Sequence, residues 1–266
     1  MDILDKKMIV IAIKNLKDSF RRWEYYLFSL GFPIMFTFLF YFILGSQGIS
    51  NGLSSFDYGF PGMIIYATSV GTVSAAIGFA SDKSSGMLER LDTMPTGRKN
   101  VFLGSLISES ITLTLQIIIM FVLGYVILGV YFNNLLGLLI GFLVSLLFGI
   151  SAVGMGIIIA SVSKTPQIAN GFSLMYYLPI LFISGSLMPF ESPIVYFTPP
   201  YWAKQVYMQI TVMGHGLEEQ LYSSSLIGYT AEAIPIPIWG GVLIIFGFTL
   251  IFIILGIIIF QKKTKF

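Results

Sequence analysis

Six stretches of this chain are apolar at nearly every position: Leu27 to Leu44, Gly59 to Ala80, Leu103 to Val130, Leu135 to Val162, Asn170 to Met188 and Pro237 to Phe260. Each is close to the roughly 20 residues of helix that cross a bilayer core. A run of this kind has no polar face to offer water, and in lipid only a helix or a closed barrel satisfies its own backbone. Barrel strands alternate apolar and polar positions, and these runs do not. The reading is an all-α integral membrane protein with six transmembrane helices. Of the 266 residues, 56% are hydrophobic and 11% charged, a balance that excludes an ordinary soluble domain.

The positions of the basic residues orient those helices. Met1 to Tyr26, Ser81 to Gly104, Ser163 to Ala169 and Gln261 to Phe266 hold fourteen of the fifteen Lys and Arg, leaving Lys204 on the opposite side. Short basic segments stay in the cytoplasm. The expectation is a multi-pass protein of the cell (plasma) membrane with both termini cytoplasmic. More than twenty polar and mixed residues precede the first apolar run, so no cleavable signal is expected. The chain has no cysteine, which removes disulfides and thiol chemistry and leaves the redox compartment unspecified.

Ahead of the first span, Ile9, Ile13, Leu16, Phe20 and Trp23 recur at steps of four and three, while Lys14, Lys17, Asp18, Arg21 and Arg22 fill the other arc. This spacing predicts an amphipathic helix over 1–26 lying in the cytoplasmic interface against anionic lipid. It is either an anchor or a lever that passes force to the spans. The outer turn at Tyr131 to Asn134 predicts an antiparallel pair of helices. Gly137 and Gly141 form a GxxxG pair continued by Ala152, Gly156 and Ala160, which lets helix backbones approach closely. Packing within the subunit is the preferred reading, with a subunit interface as the alternative.

The outer stretch 189–236 is too short in its apolar pieces to cross and too apolar to be solvated throughout. Broken re-entrant helices are expected there, interrupted by Pro193, Pro199 and Pro200 and acting as a lid or gate. On the cytoplasmic side, 81–104 reads SDKSSGMLERLDTMPTGRKNVFLG. Leu88, Leu91 and Met94 fall on one face of a short helix that Pro95 ends. An apolar ridge with charged flanks suits a protein partner, whereas a solvated connector would not need the ridge.

This loop resembles that of the membrane subunit of type-2 ABC exporters, whose pattern is close to GTLExLxxTP. The match is Gly86, Leu88, Glu89, Leu91 and Thr93-Met94-Pro95, with Met87 where the family favours Thr and Met94 inserted before the proline. Phe182 to Ala203 is similar to the family's SGxxxP, xxP and NPxxxA series through Ser184, Gly185, Pro189, Pro193, Pro199 and Ala203. The resemblance extends over the whole chain. It implies a single permease domain over 1–266, with a coupling helix at Met87 to Pro95 and re-entrant helices before the last span. It also implies pairing with a second permease, an identical copy in preference to a relative, and with ATP-binding-cassette ATPase subunits that carry the ATP and Mg. Docking on the ATPase would fall to Gly86, Leu88, Glu89, Arg90, Leu91 and Pro95, and force transfer to Arg21, Arg22 and Trp23. The outer gate would comprise Ser184, Gly185, Pro189, Pro193, Pro199 and Trp202.

No GxxxxGK[ST] loop occurs in the chain, so hydrolysis must belong to a partner and no enzymatic activity is expected of this subunit. Glu109 sits inside the third span with Gln116 beyond it, an expensive place for charge. It is either a polar group on the path or interface, or a carboxylate that pairs with Arg98 or Lys99. The single histidine, His215, has only Glu218 and Glu219 near it, and a metal site is not expected. A serine protease built on Ser151 or Ser186 with His215 is disfavoured, because that histidine lies on a loop. No nucleic-acid partner is expected. The resulting expectation is an exporter subunit moving an amphipathic or lipid-like molecule outward, with an ATPase-independent six-helix carrier or channel as the alternative.

Overall fold

The computed structural model of the chain describes residues 13, 16–17, 23–45, 53–86, 98–187, 192–223 and 232–263. Among the described residues seven α-helices carry the fold: α1 (Trp23–Leu44), α2 (Ser55–Ser84), α3 (Arg98–Phe121), α4 (Leu135–Val162), α5 (Pro166–Ile183), α6 (Pro199–Thr211) and α7 (Ile238–Lys263). Between α6 and α7 lies an antiparallel hairpin of β1 (Gln220–Ser223) and β2 (Glu232–Pro237).

Among the described residues, four helices are long and apolar enough to cross a bilayer: Ser55–Ser84, Phe102–Ile127, Leu135–Val162 and Ile238–Ile259. The apolar part of α1, Leu30–Leu44, is shorter. Helix α5 has 18 residues, among them Gln167, Asn170 and Ser173. The first expected span, Leu27 to Leu44, lies within the 22-residue helix α1, and the fifth corresponds to α5, which is shorter and more polar than the four long helices.

Helix boundaries follow capping chemistry. Ser54 and Asp57 form a reciprocal capping box at α2, in which Asp57 Oδ2 accepts from the Ser54 amide at 2.7 Å. Two orphan amide donors are satisfied at once. Asn134 caps α4 through the Gly137 amide, and Thr165 caps α5 with Pro166 following it. Helix α3 continues into a π-helical turn, Val122–Ile127. Gly124 lies in that turn, where a Cβ would collide with the Phe60 ring of α2.

The central element is α2, which packs on α1, α3, α4, α5 and α6. Its most apolar window is 83% buried, against 17% for α7. One hydrophobic cluster joins α2 to α3, α4 and α5; a second seats α6 against α4 and α7 through Trp202, Val206, Ile210, Ile238 and Ile245. The periphery is also apolar, with Phe32, Phe42, Val126, Leu136, Met175 and Ile251 exposed. An exterior that greasy is stable only against lipid.

The close approach expected at Gly137 and Gly141 occurs inside the subunit. A Cβ on Gly137 would stand 2.7 Å from the Ile210 carbonyl oxygen, and one on Gly141 would meet Thr211 Oγ1. Helix α6 thus lies directly on the start of α4. Thr211 Oγ1 donates to the Gly137 carbonyl at 3.3 Å, and the Asn133 amide donates to the Thr211 carbonyl at 2.9 Å.

Candidate translocation and gating site

At the C-terminal end of α5 the chain leaves the helix through Ser184 and then Gly185, whose φ of 68° is the left-handed conformation that glycine adopts at little cost. Ser184 Oγ donates to the Leu181 carbonyl and shares a hydrogen bond of 2.8 Å with Ser186 Oγ. The turn is pressed against α2, since a Cβ on Gly62 would collide with the Ser186 carbonyl oxygen.

Across this turn stands Lys204 of α6, fully enclosed, whose Nζ donates to the Gly185 carbonyl at 2.6 Å. Burial pushes its ammonium down from 10.5 to about 8. A carbonyl dipole is a partial substitute for the lost hydration of a cation. Sequence reasoning placed Lys204 on the outer side without giving it a role. Its isolation from the other fourteen basic residues was the available signal.

The predicted outer-gate residues divide into two groups. Ser184 and Gly185 form the turn just described. Pro193 opens a 3-10 turn, Pro193–Phe197, and Pro199 opens α6, where prolines at the first helical positions remove amide donors that a helix start leaves unsatisfied. Trp202 Nε1 donates to the Tyr196 carbonyl at 2.8 Å, fixing the 3-10 turn against α6. Pro189 lies outside the described residues. The broken segment expected at 189–236 thus contains a short helix and a 3-10 turn, and also a β-hairpin that the pattern did not announce. Gln209 Nε2 ties α6 to that hairpin through the Tyr222 carbonyl at 3.0 Å.

Helix α6 also reaches the membrane helices through Tyr207, whose hydroxyl meets that of Tyr125 in the π-helical turn at 2.8 Å. Burial raises the Tyr207 hydroxyl well above its ordinary value, as it does for Tyr201. Asp57 links the outer ends of α2 and α3, its Oδ1 accepting from the Tyr131 amide at 2.9 Å.

Two residues past the end of α2, Gly86 takes a φ of 69°. Just before it, Lys83 Nζ donates to the Ser161 and Ser163 carbonyls at 3.0 Å each. These carbonyls lie at the end of α4, so one side chain clamps two helices where the predicted coupling loop begins. Cations suit helix C-termini. Leu88, Glu89, Arg90, Leu91 and Pro95 lie outside the described residues, as do Arg21 and Arg22; Trp23 begins α1. Glu109 is half-buried and its carboxylate faces α2, with Oε1 3.0 Å from the position of a Cβ on Gly78. Gln116 is buried. His215 stands 3.8 Å from Glu219 in the outer loop.

Together these features define a polytopic helical membrane protein whose outer segment is keyed into its spanning helices. Residues 6–213 match the family model described as ABC-2 type transporter, and the chain belongs to that family. It is 24% identical over 147 residues to the probable multidrug ABC transporter permease YbhR of Escherichia coli (strain K12), covering 55% of this chain and 39% of the relative. The daunorubicin resistance ABC transporter permease protein DrrB1 of Streptomyces coeruleorubidus is 23% identical over 162 residues, 60% of this chain and 57% of the relative. ABC transporter G family member 20 of Dictyostelium discoideum is 22% identical over 210 residues, 79% of this chain and 27% of the relative. The chain spans less than two thirds of the length of each of these relatives. It is a membrane-spanning permease of an ABC transporter.

Proposed function

We propose that this permease exports an amphipathic or lipid-like molecule from the cytoplasmic to the outer side, driven by ATP hydrolysis on a separate subunit that binds the ATP and Mg. The observation that carries the reading is the family match over residues 6–213, which takes in both the cytoplasmic loop after α2 and the Ser184-Gly185 turn before α6. Relatives named for multidrug and daunorubicin resistance support an amphipathic cargo.

In this reading six spans hold both termini in the cytoplasm of a cell-membrane protein, and 1–26 lies in the lipid interface. A second, identical permease completes the pathway. Gly86, Leu88, Glu89, Arg90, Leu91 and Pro95 dock in the ATPase, and closure of that subunit moves α2. Lys83 passes the displacement to α4, Arg21, Arg22 and Trp23 take up force at the interface, and the Ser184-Gly185-Lys204 turn opens outward. Glu109 and Gln116 supply polarity along α3. Co-purification of the tagged chain from its native membrane tests the reading: a soluble partner bearing a Walker A sequence, released by Leu88→Asp, is expected. Recovery of the chain alone, active in liposomes without ATP, would overturn it in favour of a carrier or channel.

A further inference from the structure

Most buried serine and threonine hydroxyls on these helices donate to the carbonyl one turn earlier. Ser69 donates to Ile65, Ser145 to Gly141 and Ser161 to Ile157, at 2.8 to 2.9 Å. Inside a membrane that local bond is how a hydroxyl avoids an unsatisfied polar group. Ser151 of α4 departs from this habit. It is 1% exposed and its Oγ has no hydrogen-bond partner among the described residues. Thr249 Oγ1 of α7, which donates to its own Ile245 carbonyl at 2.8 Å, also stands 3.3 Å from the Leu147 carbonyl, the acceptor one turn before Ser151.

Ser151 lines a cavity of about 20 Å³ where α2, α4, α5, α6 and α7 converge. Its polar lining also includes Ser69, Thr72, Tyr176 and Tyr177, and no charged residue lines it. Pro199 and Pro200, at the start of α6, close one side. A cavity needs about 10–15 Å³ and two to four polar partners to hold a water. This one meets both conditions. An orphaned buried hydroxyl is destabilising, and a single hydrogen-bonding guest would offset that loss.

We propose that this cavity is a binding site for a neutral, hydroxyl-sized hydrogen-bonding ligand, occupied by water in the resting protein and anchored by Ser151. With no charged residue in the lining, a neutral guest is favoured over an ion. The inference concerns the helix bundle itself and is independent of ATP coupling.

The chain contains no cysteine, so Ser151→Cys gives a single thiol. Hydrogen peroxide, nearly as small as water, oxidises the thiolate form to sulfenic acid, and a thiolate requires water beside the sulfur. In native membranes without ATP, Ser151→Cys should form sulfenic acid at least about tenfold faster than Ile117→Cys or Ser145→Cys, both buried. Equal rates would overturn the proposal. Ser151→Ala gives an independent reading through the melting temperature. If the hydroxyl holds water, its removal lowers the melting temperature by about 2–4 °C; if it is orphaned in an empty cavity, its removal raises it, and a rise would overturn the proposal.

Discussion

Lys204 is the residue at which charge, burial and position meet. Its folded pKa of about 8 lies below the unfolded value of 10.5, because burial disfavours the ammonium. Between those pH values the unfolded chain holds the extra proton, so stability rises as pH climbs from about 8 toward 10.5. Below about 8 the full cost of the buried charge persists, roughly 3 kcal/mol. Lys204→Met should abolish this rise. Melting temperatures of both proteins, compared below about pH 8 and near about pH 10, should diverge, and parallel curves would refute the assignment. At Gly62 the constraint is steric. Gly62→Ala pushes a methyl group into the Ser186 carbonyl, and the expected loss is about 1–3 kcal/mol. Unchanged denaturant midpoints would show that the turn yields freely.

Elements differ in how far sequence alone reveals them. Helix α4 runs from Leu135 to Val162 as its apolar run predicts, and α7 begins one residue after the expected Pro237. Those limits are set by local residues: Asn134 as a cap, and Pro237 before a fresh run. The β1–β2 hairpin was not legible, because it depends on pairing Leu221 with Ile234, thirteen positions apart in the chain. The π-helical turn was hidden for a similar reason, since Phe60 occupies the space beside Gly124. Of the candidate site, Ser184 and Gly185 were legible through a motif, while Lys204 became visible only when α6 brought it to the Gly185 carbonyl. At the C-terminal ends of both helices, Lys83 joins α2 to α4. Lys83→Met keeps the stem and removes the donors, leaving the Ser161 and Ser163 carbonyls without this ammonium. A loss of about 1–3 kcal/mol is expected. On the proposed function, substrate-stimulated ATPase of the assembled transporter should fall further than basal ATPase; equal loss of both would mean that the clamp is only structural.

At the scale of the whole molecule, ATPase coupling is tested by Glu89→Lys. The variant should insert and fold normally while losing most of its ATP-driven transport, and full transport would remove the docking role. The arrangement of α2 and α7 also bears on how the protein is made. Helix α2, the least apolar of the four long helices, is the most enclosed, whereas α7, the most apolar, faces outward along most of its length. Lipid rewards α7 directly, so that helix can enter the bilayer unaided. Helix α2 has little to gain from acyl chains and much from Ala, Gly and Ser contacts with its neighbours. Its residence in the membrane is a property of the assembled bundle, and biogenesis must shelter it until α4 emerges from the ribosome.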